Sequence, residues 1–143
     1  MKQRKLWRLG LAMALVLVLL SGCSSARPLP EGMDEETAGQ AGRDMVALLT
    51  AQDYQSVADA FRPDVKEQYQ VTADTIRAAM DTVAGAGAYV KTDRTLAVGG
   101  RSESFSGDYA SVIVYCEHEE EDVIYEMSFD PDLALLGLSV KEK

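Results

Sequence analysis

Three places in this chain carry side chains with chemistry beyond packing. The first is Cys23, a thiol directly behind Leu20, Ser21 and Gly22, where small residues let a peptidase grip an extended backbone. The second is His118, the single histidine, flanked by Glu117 and the run Glu119-Glu120-Glu121-Asp122. Histidine is the usual proton shuttle near neutral pH, and nearby carboxylates favour its charged form. That polar neighbourhood predicts a solvated turn rather than a catalytic base. Oxygen-rich runs also attract hard cations, but consecutive residues of a tight turn point apart and no Asp-x-Asp-x-Asp-Gly loop is present, so no metal site is expected. The third is Cys116, which follows Val112-Ile113-Val114-Tyr115 with no basic neighbour in sequence. A thiol so placed is expected to be a small buried hydrophobe. No Gly-x-Ser-x-Gly elbow supports a serine nucleophile.

The context of Cys23 gives it a specific chemistry. Lys2, Arg4, Lys5 and Arg8 form a basic start, and the 12 residues Leu9–Leu20 form an apolar run, the first two parts of a signal peptide. A helix that crosses a bilayer needs roughly 20 apolar residues, so cleavage is favoured over a permanent span. Leu20-Ser21-Gly22-Cys23 resembles the lipobox of bacterial lipoproteins, in which the thiol receives a diacylglyceryl group and becomes the new N-terminus. Two fatty chains anchor stably where one binds marginally. The expected organisation is a signal peptide at 1–22, a lipidated Cys23 with a flexible tether through 33, and one domain over 34–143. The expected location is the extracytoplasmic face of a bacterial cell membrane.

Composition narrows the partners. Setting aside the four basic residues of the leader leaves ten Lys+Arg against 23 Asp+Glu, a net charge of −13. Such a surface repels nucleic acid and anionic headgroups alike. With Cys23 lipidated, Cys116 has no disulfide partner, and core stability must come from packing.

Periodicity divides the domain into a helical first half and a strand-like second half, the pattern of an α+β fold. Asp34, Glu35 and Glu36 mark a helix start, and Ala38, Ala41, Met45, Leu48, Leu49 and Gln52 follow helical spacing. Asp53 caps a second helix carrying Tyr54, Val57, Ala58 and Phe61. Arg62-Pro63 ends it, and a short helical turn carries Val65 and Tyr69 inward. Thr72 caps a third helix with Ile76, Ala79, Met80 and Val83 on its buried face, stopped by Gly85 and Gly87. Four strands follow: Tyr89–Val98, Tyr109–Cys116, Val123–Phe129 and Leu133–Val140, with Gly99-Gly100 in a polar connection and Asp130-Pro131-Asp132 as a turn. The unbroken Val112–Tyr115 row predicts a central strand covered on both faces.

Several of these segments together resemble a bacterial family known as domain of unknown function 3887. They are Met45–Tyr54, Val57–Val65, Thr72–Tyr89, Phe129-Asp130 and Leu136-Gly137-Leu138, within residues 38–140. The resemblance implies a nuclear-transport-factor-like, or cystatin-like, cone: three N-terminal helices on a curved four-stranded antiparallel sheet. It also implies a conceivable pocket, for which Tyr89, Tyr115, Tyr125, Met127 and Phe129 are candidate wall residues, although aromatics on alternate strand positions usually form core. Enzymes of that fold resemble one another in a buried Asp-His pair, which this sequence does not display. The expectation is a non-enzymatic module without cofactor, binding a small ligand or an envelope protein. The alternatives are a scaffold that forms a homodimer through its sheet, an isomerase or dehydratase-like enzyme, and an accessory lipoprotein without ligand.

Overall fold

Side-chain caps set most of the helix starts in the computed structural model, which describes residues 27–104 and 107–143. Asp34 accepts from the Thr37 amide at 2.7 Å and opens α1 (Glu35–Thr50), with Glu35 and Glu36 in the first turn. Beyond α1 the Gln52 amide donates to Leu49 and the Asp53 amide to Leu48, the double bond of a Schellman end, with Gln52 at φ 60°. Asp53 then caps α2 (Tyr54–Asp59). Pro63 occupies the first turn of α3 (Pro63–Gln68), where its missing N–H costs nothing. Thr72 and Thr75 exchange side-chain and backbone bonds to open α4 (Ala73–Asp81).

Among the described residues four helices therefore stand where three were expected, because the turn after Pro63 closes into a helix of its own. Val65 is buried as foreseen, but Tyr69 is 59% exposed. α4 also stops at Asp81, before its glycines, and a 3-10 turn (Ala84–Ala86) leads to Gly87 at φ 81°.

The sheet is an antiparallel meander in the order β1 (Tyr89–Ser102), β2 (Gly107–His118), β3 (Asp122–Phe129), β4 (Leu135–Glu142). Register shifts interrupt β1 between Tyr89 and Lys91 and between Thr92 and Arg94. Asp130 makes the last turn by accepting from the Asp132 and Ala134 amides, both at 2.9 Å. Leu133 sits in that turn at φ 66°, so β4 starts two residues later than expected.

One face of the sheet is covered. Ala110, Val112, Val114, Cys116 and His118 of β2 and Val123, Tyr125, Met127 and Phe129 of β3 point to the helices and are buried. The opposite row of β2, Ser111, Ile113, Tyr115 and Glu117, is half-buried, so the strand is not covered on both sides.

α1 crosses that covered face on Ala38, Gly42, Val46 and Leu49. The expected stripe of Ala41, Met45 and Leu48 flanks it, and Gln52 is exposed. Gly42 is the reason, since it lets the helix backbone approach Val112 closely. Glycine likewise explains the length of β1. Gly99 lies in the strand because the backbone of residues 27–28 crosses it, with the Gly99 amide donating to the Arg27 carbonyl at 3.1 Å. Gly100 lies under the Tyr109 ring.

The segment that resembled a tether thus lies on the domain from residue 27 onward. Leu29 and Met33 pack against the core, Pro30 is buried, and the Met33 amide donates to the Pro30 carbonyl at 3.0 Å. The expected signal peptide with Leu20, Ser21 and Gly22, the expected lipidation site Cys23 and the expected tether through residue 26 lie outside the described residues.

Candidate functional site

Where the C-terminal end of α1 meets the end of β2, a cleft of about 370 Å³ opens. Leu49, Thr50 and Gln52 reach it from α1 and its turn, Tyr54 from α2, and Met80 and Asp81 from the end of α4. Val83, Gly87, Tyr89 and His118 complete it. Thr50, Ala88 and Tyr89 also line a groove of about 670 Å³ between α1 and β1, so Tyr89 stands as a ridge between two concavities. Its hydroxyl is 2.9 Å from Thr92 Oγ1, which holds the ring upright at 39% exposure.

His118 closes the cleft from below and is 7% exposed, not solvated as its acidic neighbours suggested. The two-residue period of β2 places it in the inward row with Val112, Val114 and Cys116. Its Nδ1 lies 2.9 Å from the Gly87 carbonyl oxygen, which only accepts. In the neutral ring Nδ1 therefore holds the proton, and Nε2 accepts from the Tyr125 hydroxyl at 3.0 Å. Burial, first, pushes the Tyr125 phenol well above its ordinary value of 10.0, which keeps it a donor. The Tyr89 ring stands edge-on to the imidazole, with centroids 5.9 Å apart. Both ring nitrogens are thus occupied, Nδ1 fastening the end of the 3-10 turn to β2 and Nε2 tying β2 to β3.

The five residues expected to form a pocket wall do not come together. Tyr125, Met127 and Phe129 are at most 1% exposed and belong to the core. Tyr115 lies on the opposite face, where the Arg94 guanidinium sits 4.3 Å from its ring centroid. Only Tyr89 reaches the cleft. Cys116 is buried as expected, and burial, first, pushes its thiol above 9.0, so it is a poor nucleophile. Among the described residues no three His, Cys, Asp or Glu side chains converge as a metal site would require. No helix among those residues is long and apolar enough to cross a membrane.

The architecture has relatives. Residues 43–138 match a family described as protein of unknown function DUF3887. The chain belongs to that family. The DUF3887 domain is also similar to an NMR structure of a protein from Ruminococcus gnavus ATCC 29149, with a TM-score of 0.66 and 23% identity over 80% of this chain and 96% of the other. At that identity the likeness shows a shared fold and says nothing of chemistry. Comparison with curated proteins found no match.

Sequence reasoning missed Gln52, Tyr54, Asp81 and the Gly87 carbonyl as cleft residues. No local signal marks them, because the cleft joins four separate segments. His118 did carry a signal, since counting by twos from Val112 along β2 puts it on the inward face.

Proposed function

We propose that this DUF3887 domain is a lipid-anchored extracytoplasmic binding module that takes a small ligand in the cleft beside Tyr89. The cleft itself carries this reading. Its volume lies in the range of small-molecule sites, roughly 300–1,000 Å³, and its lining is an even mixture of apolar side chains, among them Leu49, Met80 and Val83, with polar groups at Gln52, Asp81 and Tyr89. A non-enzymatic role is favoured because His118 has no nitrogen left for a substrate. A general base must reach the proton it removes, and here the ring serves Gly87 and Tyr125 instead.

The anchor is supported by the basic start, the short apolar run and Leu20-Ser21-Gly22-Cys23. Native mass spectrometry of residues 24–143 tests the binding reading. A reproducible added mass that disappears in Tyr89→Ala is expected. A bare protein at every concentration, or an adduct indifferent to Tyr89→Ala, would refute it.

A second reading rests on the outer face of the sheet. Leu96 and Val98 are each 41% exposed there, beside half-buried Ile113 and Ile124. A homodimer or envelope scaffold would cover them. Sedimentation at the monomer mass across a wide concentration range would set the homodimer aside.

A further inference from the structure

The docking of residues 27–33 fixes which end of the domain lies near Cys23. Arg27 pairs with Gly99 across the outer edge of β1, and Gly99 is opposite Ala110 on β2. Cys23 is only four positions from Arg27. A chain covers at most about 3.6 Å per residue, so a lipid on Cys23 holds Arg27 within roughly 15 Å of its point of attachment, and Gly99 about 5 Å further. The cleft is at the other end of the same strand. Tyr89 is ten positions from Gly99 and faces His118, which at about 3.3 Å per residue sets the two ends roughly 30 Å apart.

We propose that the Gly99 end of the sheet rests on the bilayer surface and that the His118 cleft opens away from it. The proposal rests on the lipid-anchoring reading above and adds an orientation and a source of ligand. Charge does not choose between the ends: Arg27 and Arg101 share the Gly99 end with Glu31, Asp34, Glu35, Glu36, Glu103 and Asp108, and at the far end Lys91 and Lys143 pair with Glu117 and Asp122 of the acidic run. The direction rests on the docked segment and the short connection to Cys23. The ligand of the cleft then arrives from the aqueous side, as a soluble compound rather than a membrane lipid.

The orientation is held by a contact that can be broken. A Cβ at Gly99 would run into the Pro28 carbonyl oxygen, so Gly99→Ala should expel residues 27–28 from the strand edge. The domain would then swing on a longer leash.

The test uses the full chain, purified from membranes in its lipidated form and reconstituted into vesicles of phosphatidylcholine with a minority of phosphatidylglycerol. Ser104→Cys and Glu120→Cys, each in a Cys116→Ala background, carry a fluorophore, and a nitroxide-headgroup lipid serves as quencher. Quenching several-fold stronger at position 104 than at 120 is expected, with the difference shrinking in Gly99→Ala. Intact mass of the same preparations separates the two layers of the argument. Protein lacking a diacylglyceryl adduct would refute the anchor and the orientation together. Lipidated protein quenched equally at both positions, or more at 120, would refute the orientation alone. A difference that persists undiminished in Gly99→Ala would overturn the docked segment as its cause.

Discussion

Replacing Gly42 by alanine sets two effects of opposite sign against each other, and the structure decides between them. In a helix interior the change gains about 1 kcal/mol of propensity. Here the new methyl carbon would sit 2.5 Å from Val112 Cγ1 and 3.3 Å from both Val112 Cβ and Val114 Cγ2. Both valines are fully buried in β2, and β-branched side chains have little freedom to turn aside. Overpacking of this kind costs typically 1–3 kcal/mol, so the net effect should be a loss of about 1 kcal/mol. For a domain of this size that corresponds to a fall in Tm of roughly 4 °C or more.

Urea denaturation followed by far-UV circular dichroism would measure the loss, and a cycle with Val112→Ala would locate it. Val112→Ala alone removes two methyl groups and should cost about 2 kcal/mol. With the valine methyls gone, Gly42→Ala should become neutral or stabilising, giving a coupling of about 1–3 kcal/mol between the two sites. Stabilisation by Gly42→Ala in the native background, or an equal loss in both backgrounds, would refute the close approach of helix and strand as the cause.

Tyr125→Phe leaves His118 Nε2 without its donor and should cost about 1–2 kcal/mol by chemical denaturation, while a ligand adduct at Tyr89 should survive. Stability should also fall as pH rises above about 9, because the buried Cys116 thiol and Tyr125 phenol are raised above their ordinary values of 9.0 and 10.0. Above those values the unfolded chain has lost protons that the folded one keeps, so the slope of stability with pH is negative there. A flat denaturation midpoint between pH 8 and about 10.5 would contradict this. Gln70 adopts φ 52° in the turn closing α3, where glycine meets no steric penalty, and Gln70→Gly should therefore raise stability by a few tenths to about 1 kcal/mol in the same assay.

Local chemistry was legible where a residue and its partner are close in sequence. Asp34, Asp53 and Thr72 cap the helices assigned to them, and Asp130-Pro131-Asp132 turns the chain as its composition demands. The strict alternation of Val123, Tyr125, Met127 and Phe129 gave β3 and its buried face without ambiguity. Illegible features depend on partners far along the chain. α3 buries only Val65, and six residues are too few to display a helical period. The Val112–Tyr115 run hides its alternation because Ile113 and Tyr115 on the outer face are themselves apolar. Residues 27–33 have the composition of a linker, and what docks them is a missing side chain at Gly99, some seventy positions later. For His118, the acidic neighbours outweighed the strand register, although the register governs which way a strand residue points.

The two register shifts in β1 bear on how this protein coexists with its own copies at high density. An edge strand offers unpaired amides and carbonyls to any chain that can lie alongside it. Residue 27 occupies that edge only at Gly99, and the stretch from Val90 to Ala97 has no such cover in the described chain. There the irregularities at Lys91 and Arg94 bend the hydrogen-bonding groups out of line, and Lys91, Asp93 and Arg94 put charge where an incoming strand would have to sit. If the lipid anchor proposed above holds, the protein is concentrated on a two-dimensional surface and meets its copies far more often than it would in bulk solution. The irregular start of β1 keeps those encounters from growing into a continuous sheet.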